Sequence, residues 1–399
     1  MNIILFDDDK YIDFLPLVYT RPIGALRCGI FTINEKWEKA LNAPVSFFTK
    51  PYLEPKFPQV WAEDNYLINA RFLPSGETVQ YIEKLEFGDS LWQGDDLIAA
   101  RIKDEGSLSR EDKNNFYQNL LGNKIKLSNE NDVIELKSVW DLFLKNDVAL
   151  RLDFKSLTKD KVSQRTPEGV NIIGSEIFIE KGAVLTFATL NTTTGPIYIG
   201  KDTVVMEGAT IRGPFALLDH SQVKMGAKVY GATTVGPHSK IGGELNNVVM
   251  QGYSNKNHDG FLGNAVLGEW CNLGADTNNS NLKNNYTNIK TWSYKKNGFA
   301  DTGLQFCGLA MGDHSKTGIN TMLNTGTVIG VGCNVFGAGY PRTFIPSFSW
   351  GGSGGRMVHK PNKFFETAEI VLQRRGIALD DIEKVILSYI YKETEKYRT

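Results

Sequence analysis

The sequence lacks an excess of charge of either sign. Over 399 residues, its 44 lysines and arginines nearly cancel its 45 aspartates and glutamates. Because a nucleic-acid binder needs a basic surface to displace counterions, no nucleic-acid partner is expected. No run approaches the ~20 apolar residues of a membrane span, and the N-terminus MNIILFDDDK has no basic leader region. A cytoplasmic protein with a small-molecule or protein partner and no membrane contact is therefore the expectation.

Paired cysteines are also missing. The four cysteines are Cys28, Cys271, Cys307 and Cys333, and no two of them form a CxxC motif. This spacing provides neither a disulfide framework nor a zinc ribbon. We expect four small buried side chains in a reducing compartment, and no metal site.

Glycine is scarce in the first part of the chain and abundant afterwards. Seven of the 39 glycines lie in residues 1–160, whereas 31 lie in residues 161–355. The first part mixes strand-like runs (Asn2–Phe6, Val45–Thr49, Tyr66–Asn69) with helical ones (Phe31–Leu41, Ser138–Val148). This alternation predicts an α/β domain over residues 1–160.

From about residue 165 the aliphatic residues recur with a period of six. The positions are Ile173, Ile179 and Leu185, then Ile199, Val205, Ile211, Leu217, Val223, Val229, Val235 and Ile241, then Leu262, Leu267 and Leu273 with one five-residue step, and finally Met311, Thr317, Leu323, Ile329 and Val335. A period of six fits neither a helix nor a single alternating strand. It fits short parallel strands wound into a β-helix, with one aliphatic residue of each flat side pointing inward.

Two stretches leave this register, and breaks in a solenoid are where loops and sites accumulate. The first is GYSNKNHDGF at residues 252–261, and the second runs from Asp276 to about Phe306. We predict a parallel β-helix over residues 161–345. The segment 346–399, with helical spacing in Pro361–Tyr397, is predicted to form a C-terminal helical cap.

The stretch NKNHDGFLGNAVLGEWCNLGADT (residues 255–277) resembles the bifunctional enzymes that join glucosamine-1-phosphate N-acetyltransferase to N-acetylglucosamine-1-phosphate uridylyltransferase. It parallels that family's histidine, "IGDAxIG" and "NIGAGT" segments. GDHSKTGINTMLNTGTVIG (residues 312–330) looks like a run of the archaeal-type sugar-phosphate acetyltransferases. The resemblance covers roughly residues 165–375. It implies a left-handed β-helix, three chains packed side by side as a homotrimer, and an amino-sugar phosphate acetylated by acetyl-CoA.

The resemblance places His258 on the family's catalytic histidine and Asn272 on the asparagine of "NIGAGT". An imidazole near neutral pH suits the reaction, because an amino sugar must lose an ammonium proton before its nitrogen can attack a thioester. Asn272 or backbone amides would hold the developing oxyanion. A solvated loop histidine is the alternative interpretation of His258.

The same resemblance supplies the binding residues. Arg212, Asn281 and Lys290 match substrate-binding positions, and Ala275 and Gly308 fall where the family packs the pantetheine arm of acetyl-CoA. Two positions depart from the family's pattern. Phe261 occupies a position where the family usually has a tyrosine, and Asn246 a position where it has a sugar-binding lysine. They leave the identity of the sugar open. An exposed loop cation at Lys290, and corner residues at Ala275 and Gly308 that any β-helix needs, remain alternatives.

The first domain resembles the family's nucleotidyltransferase domain only in part. LPLVYTRPIGALRCG at residues 15–29 keeps Arg21, but the glycine-rich phosphate loop after the first strand is replaced by three aspartates, Asp7 to Asp9. Three carboxylates repel the phosphates of a nucleoside triphosphate unless a divalent metal such as Mg²⁺ binds between them. Asp8, Arg21 and Arg27 are the candidate nucleotide contacts, with UTP as the expected partner. Surface ion pairs are the alternative role for both arginines.

Two other functions fit the same scaffold. A zinc-dependent γ-type carbonic anhydrase gathers three histidines, but the five histidines show no close pair. A scaffold or regulatory protein would combine a degenerate nucleotidyltransferase-like domain with a β-helix retained for assembly. The altered N-terminal loop favours the scaffold for the first domain, and the two breaks in the repeat argue against it for the second.

Overall fold

The computed structural model describes residues 1–104, 120, 122–127 and 133–398. These residues form two compact units. The first comprises residues 1–11, 21–26 and 31–137, and the second comprises residues 12–20, 27–30 and 138–399.

The first unit is an α/β domain around a six-stranded sheet. The sheet order is β2-β1-β3-β6-β5-β7, with β1 parallel to β2 and β3, and β6 antiparallel to β3 and β5. Its elements are β1 (Asn2–Phe6), α1 (Ile33–Leu41), β2 (Val45–Phe48), β3 (Asp64–Asn69), β4 (Phe72–Leu73), α2 (Gly76–Glu83), β5 (Ser90–Gln93), β6 (Asp96–Lys103), β7 (Lys124–Lys126) and β8 (Ile134–Glu135). The predicted strands and the first predicted helix are confirmed. Single-turn 3₁₀ segments lie at Asp9–Phe14, Leu17–Tyr19 and Ile23–Ala25.

Beyond residues 12–20 and 27–30, the second unit consists of two helices, α3 (Asp141–Leu144) and α4 (Asn146–Thr158), followed by a parallel β-helix with three flat faces and the C-terminal segment. The first face holds β9 (Asn171–Ile173), β12 (Thr189–Asn191), β15 (Thr210–Arg212), β18 (Lys228–Tyr230), the first parts of β21 (Glu244–Gly252) and β23 (Phe261–Glu269), then β24 (Asn278–Asn279) and β29 (Met322–Leu323).

The second face holds β10 (Ile177–Ile179), β13 (Ile197–Ile199), β16 (Phe215–Leu217), β19 (Thr233–Val235), the later parts of β21 and β23, β27 (Leu309–Met311), β30 (Thr327–Ile329) and β32 (Phe344–Ile345). The third face holds β11 (Val184–Leu185), β14 (Val204–Val205), β17 (Gln222–Val223), β20 (Lys240–Ile241), β22 (Asn255–Lys256), β28 (Lys316–Thr317), β31 (Asn334–Val335) and β33 (Ser349–Gly352).

The aliphatic positions spaced by six form the core of this β-helix. All of those predicted to point inward are at most 5% exposed, with Ile173 as the exception at 41%. In β9 the inward residue is Ile172, which pairs with Leu190 of the next coil and packs on the core. The prediction for Ile173 is therefore wrong by one residue. The parallel β-helix is confirmed, and its left-handed winding stays an expectation from the resemblance.

The two predicted breaks in the repeat have different structures. The first, residues 252–261, is not a break, because β22 continues the third face with Asn255 paired to Lys240 and Lys256 to Ile241. The second is an insertion between β24 and β27 that contains an antiparallel hairpin of β25 (Lys290–Ser293) and β26 (Gly298–Asp301). Asparagine side chains hold this region to the coil: Asn278 Oδ1 accepts from Phe261 N (2.7 Å) and Asn279 Oδ1 from Gly263 N (2.8 Å).

The C-terminal segment is partly strand and partly helix. After β33, β34 (Gly355–Val358) folds back antiparallel to it, and α5 (Pro361–Gln373) and α6 (Asp381–Glu393) follow, with a 3₁₀ turn at Glu395–Tyr397. Helix α5 buries Phe364, Ala368 and Leu372. No described helix is long and apolar enough to cross a membrane. The four cysteines are buried, as predicted, and none of them forms a disulfide bond.

Asp7, directly after β1, is an acidic side chain held within the first unit. Its carboxylate accepts hydrogen bonds from Thr49 Oγ1 (2.6 Å) and Ile23 N (3.0 Å). Burial raises the pKa of Asp7 to about 7, despite these two hydrogen bonds. The neutral form of this carboxyl group is therefore favoured by folding.

The replacement Asp7→Asn is expected to change how stability depends on pH. Because the folded-state pKa of Asp7 lies above its unfolded value of ~3.9, the folded protein binds more protons than the unfolded chain between about pH 4 and pH 7. Since one pKa unit corresponds to about 1.4 kcal/mol, the wild type should lose up to about 4 kcal/mol of unfolding free energy relative to the variant as the pH rises through that window.

Urea unfolding between pH 5 and pH 8, followed by intrinsic fluorescence, measures this difference. Asp9→Asn is the matched control, since Asp9 is exposed and should leave the pH dependence unchanged. Parallel curves for wild type and Asp7→Asn would contradict the assignment of an ionisation to Asp7.

Candidate active site

The outward side chains of the third face form the floor of a cleft. The strand register aligns Lys240 with Asn255, and isolated bridges align Asn255 with Asn272 and Asn272 with Lys316. These four side chains come from four successive coils. The cleft above them has a volume of about 650 Å³. It is lined by Lys240, Tyr253, Asn255, Asn257, His258, Trp270, Cys271, Asn272, Leu273, Gly274, Ala275, Lys316, Ile319, Val371, Arg374 and Arg375.

His258 lies at the corner between β22 and β23, with an exposed side chain. The corner of the next coil carries Ala275, and the coil after it carries Ile319 at the equivalent position. Backbone hydrogen bonds link these corners: Asp276 N donates to Asp259 O (3.0 Å), and Asn320 N to Ala275 O (2.8 Å). His258, Asn272 and Ala275, all predicted from the sequence, thus line one cleft within one chain.

Four cations surround the cleft, namely Lys240, Lys316, Arg374 and Arg375. Within the part of the chain that the structure describes, none of them has a carboxylate oxygen within 4 Å. Burial lowers the pKa of Lys240, and the neighbouring charges of Lys224, Arg375 and Arg374 lower it further. Burial also lowers the pKa of Lys316. Uncompensated positive charge in a cleft attracts an anionic ligand such as a phosphate ester.

One wall of the cleft is the end of a column of stacked rings at the corner between the second and third faces. Successive centroid distances are 4.8 Å for His220–His238, 4.8 Å for His238–Tyr253, 4.3 Å for Tyr253–Trp270 and 6.3 Å for Trp270–His314. All five residues have φ between 52° and 60°. Bulky side chains rarely adopt this left-handed backbone conformation. Ring stacking along the column, worth about 0.5–1.5 kcal/mol per pair, offsets the cost.

Helix α5 supplies the remaining wall. Its last turn carries Val371, and Arg374 and Arg375 follow at its C-terminal end. Arg375 donates to the carbonyl of His238 (3.0 Å), which ties the helix end to the ring column. Cations at a helix C-terminus also interact favourably with the helix dipole, so both arginines have a structural contribution beside their position at the cleft.

Four predicted binding residues of the second unit do not line this cleft. Arg212 is exposed and points outward from the first face, and Lys290 is exposed at the start of β25. Asn281 donates to Asn264 Oδ1 (2.8 Å), and Gly308 N donates to Asn264 O (2.9 Å). A Cβ at Gly308 would overlap the carbonyl oxygen of Gly263 and the side-chain nitrogen of Asn279. Close packing between coils therefore accounts for a glycine at this position.

The nucleotide-contact candidates are engaged in other interactions. Asp8 accepts hydrogen bonds from the fully buried Arg71 (Nε, 2.8 Å) and from Asn69 (2.9 Å). Arg71 also pairs with Asp96 (3.2 Å) and Glu135. Arg21 is 7% exposed in the first unit.

Arg27 belongs to the second unit. Its backbone N–H donates to Gln251 Oε1 (2.6 Å). The described residues include no group of three or more His, Cys, Asp or Glu side chains arranged to hold a metal.

Several cleft residues were missed by the sequence reasoning. Tyr253 and Trp270 follow a repeated signal, an aromatic or histidine residue just before each third-face strand, which begins at His220 and His238. Arg374 and Arg375 had no such signal, because they lie outside the repeat, more than fifty residues beyond the cleft residues of the coils. Lys256 occupies a position where the repeat calls for an aliphatic residue.

The fold combines a nucleotidyltransferase-like α/β unit with a parallel β-helix. Residues 3–162 match the family model of sugar nucleotidyl transferases. The chain is 30% identical over 135 residues to the bifunctional protein GlmU of Trichodesmium erythraeum, a match that covers 33% of this chain and 24% of that protein. It is 23% identical over 305 residues to the GlmU of Trichormus variabilis, covering 73% of this chain and 58% of that protein. The chain is therefore similar to GlmU proteins over part of their length, and its residues 3–162 are similar to sugar nucleotidyl transferases.

The chain thus spans less than two thirds of the length of either relative. Among solved structures, the polySia-specific acetyltransferase NeuO matches 48% of this chain and 86% of its own at 10% identity, with a TM-score of 0.27. The UDP-N-acetylglucosamine acyltransferase of Francisella novicida matches 58% of this chain and 76% of its own at 12% identity, also with a TM-score of 0.27.

Proposed function

We propose that the cleft of the β-helix transfers an acetyl group from acetyl-CoA to the amine of an amino-sugar phosphate similar to glucosamine-1-phosphate. The observation that carries the proposal is that His258, Asn272 and Ala275, which match motif positions of the resembling acetyltransferases, line one cleft with uncompensated cations. The cations suit the phosphates of both substrates. The homotrimer and the cytoplasmic location belong to the same proposal.

His258 would act as the general base. Its side chain is exposed to the cleft, so the neutral amine of the acceptor sugar can reach the imidazole. As the amine nitrogen bonds to the thioester carbonyl carbon, its proton passes to His258. The C–S bond then breaks, and the same proton can neutralise the leaving thiolate. None of the four buried cysteines is needed as a nucleophile.

The asparagines of the cleft differ in exposure. Asn272 is exposed and offers amide N–H groups to the oxyanion of the tetrahedral intermediate. The Oδ1 atoms of Asn255 and Asn257 are buried and accept no hydrogen bond from any residue that the structure describes. Because these two oxygens are closed to solvent, Asn272 is the asparagine of the three whose side chain is exposed to a substrate.

The first unit carries a second candidate function, nucleotidyl transfer to a sugar phosphate. The family match over residues 3–162 favours it. Because Asp8 is already paired with Arg71, it is a poor ligand for the Mg²⁺ that would accompany UTP. Pyrophosphate release from UTP and N-acetylglucosamine-1-phosphate tests this activity; no release above a blank would reject it and leave the acetyl transfer proposal unaffected.

Replacement of His258 by asparagine is expected to lower the kcat of acetyl transfer about 100- to 1000-fold, because the amine would lose its proton acceptor. The measurement is thiol release from acetyl-CoA in the presence of glucosamine-1-phosphate. His220→Asn is the matched control, since His220 is exposed at the far end of the ring column and does not line the cleft. Absence of thiol release from the wild type would favour the scaffold interpretation, and full activity of His258→Asn would remove His258 from the mechanism.

The double variant Lys240→Met/Arg374→Gln is expected to raise the KM for the phosphorylated substrates about 10-fold, with kcat changed less than about threefold. The reason is that these cations attract phosphate groups without touching the reacting atoms. The KM of the wild type should rise with ionic strength more steeply than that of the variant. Lys363→Gln, which removes an exposed cation of α5 paired to Glu366 (2.8 Å), controls for net charge. An unchanged KM in the double variant would contradict this role.

A further inference from the structure

Lys256 is a charged residue in an otherwise uncharged column inside the β-helix. The inward residues of the third face are Leu185, Val205, Val223, Ile241, Lys256, Leu273, Thr317 and Val335. Lys256 is 0% exposed. Burying an ammonium group is costly unless it is paired or hydrogen-bonded. Its retention at an aliphatic position therefore needs a physical reason.

The ammonium of Lys256 binds the backbone of the corner that carries His258. Lys256 Nζ donates to the carbonyl oxygens of His258 (2.6 Å) and Asp259 (2.9 Å). Burial lowers the pKa of Lys256 to about 8, against the opposing effect of the carboxylates of Asp259 and Asp276. The ammonium thus reaches from the interior to the two carbonyl groups at the corner.

The backbone hydrogen bonds of this corner differ from those of other corners at the same edge. In ordinary corners of this edge, the second carbonyl accepts an amide of the following coil: Glu207 O from Gly226 N (3.0 Å), and Ala275 O from Asn320 N (2.8 Å). The equivalent carbonyl in the His258 corner is that of His258 itself. The amide that should reach it, Asp276 N, bonds to Asp259 O instead (3.0 Å).

The length of the preceding corner accompanies this shift. Two residues, Gly242 and Gly243, connect β20 to β21, whereas the four residues 257–260 connect β22 to β23. The corner that carries His258 has the same four-residue length as the corners 206–209 and 224–227, and the short corner belongs to the preceding coil. Lys256 replaces the hydrogen bond between coils that His258 O would otherwise accept.

We propose that Lys256 is a positioning residue for His258. It fixes the backbone of the corner from inside the coil, and so holds the imidazole over the cleft without touching a substrate. The proposal rests on the proposed function in that His258 is taken as the base. The contact between Lys256 and the backbone of the corner does not depend on catalysis, so it can be tested whether or not the protein transfers an acetyl group.

The experiment replaces Lys256 by methionine, which is similar in length and suits an apolar column. Ile241→Met is the matched control, because Ile241 is the preceding inward residue of the same face, pairs with Lys256 and does not line the cleft. Lys256→Met is expected to keep its folded state by circular dichroism and to lose about 10- to 100-fold in kcat, with KM values changed less than about threefold, since a misplaced base slows the reaction without weakening binding. Lys256→Gln, which keeps an amide donor, should lose less.

A second readout does not depend on activity. In protein labelled with ¹³C-histidine, five imidazole signals are expected, and loss of one in His258→Asn assigns His258. That signal should broaden or shift in Lys256→Met and stay unchanged in Ile241→Met. The four other histidine signals should stay in place in both variants.

The outcomes separate the two proposals. An unchanged His258 signal together with wild-type kcat in Lys256→Met would overturn the positioning role. A failure of both Lys256 variants to fold would also overturn it, because Lys256 would then be required only for the folding of the coil. If the wild type shows no acetyl transfer, the proposed function fails. The imidazole signal then still decides whether Lys256 orders the corner.

Discussion

The β-helix depends on one constraint, the burial of a single side chain from each flat side of every coil. Ile199, Val205 and Ile211 show the principle in three successive strands, each 2% exposed or less. Burying an aliphatic side chain is worth about 1.5–3 kcal/mol, so slipping a strand by one residue would forfeit that energy throughout its coil. The inward column therefore sets the register between coils. The outward residues must then form columns of their own, which is how Lys240, Asn272 and Lys316 meet.

Corners have more freedom than faces, and the functional features of the chain are concentrated there. One edge of the prism carries the stacked rings from His220 to His314, with a left-handed backbone at every level. The other edge of the third face carries His258 and Ala275. Both edges border the same cleft. A scaffold with fixed faces and variable corners can thus present a base, aromatic rings and cations at set distances while its core stays uniform.

Much of this fold could be predicted from the sequence, because a period of six is a local signal repeated many times. The exceptions are instructive. Lys256 broke the hydrophobic pattern, and so β22 was interpreted as part of a loop although its backbone pairing is regular. Ile173 kept the pattern but points outward, because β9 starts the coil in a register where Ile172 is inward. The six-residue period predicts inward positions from apolar side chains. It therefore misses an inward position that is occupied by a polar side chain.

The candidate site was less accessible to sequence reasoning than the fold. Motif matching selected His258, Asn272 and Ala275, which lie on adjacent coils and are therefore brought together by the repeat itself. It also selected Arg212, Asn281, Lys290 and Gly308, which are not among the residues of that cleft. Arg374 and Arg375 reach the cleft because α5 packs against the ring column, where Phe364 contacts His314 and Arg375 donates to the carbonyl of His238. That contact depends on tertiary packing, and the six-residue period of the sequence does not indicate it.

The charges of the chain show that the same residue types serve opposite purposes in its two units. In the first unit Arg71 forms ion pairs with Asp8, Asp96 and Glu135, so its charge is neutralised within the protein. In the cleft of the second unit, Lys240 and Arg374 have no carboxylate partner among the described residues, and their mutual repulsion is left uncompensated. A protein gains no stability from the second arrangement by itself. An anionic ligand would supply the missing charge, and for this reason the cleft is a stronger candidate for a substrate site than the three aspartates that follow β1.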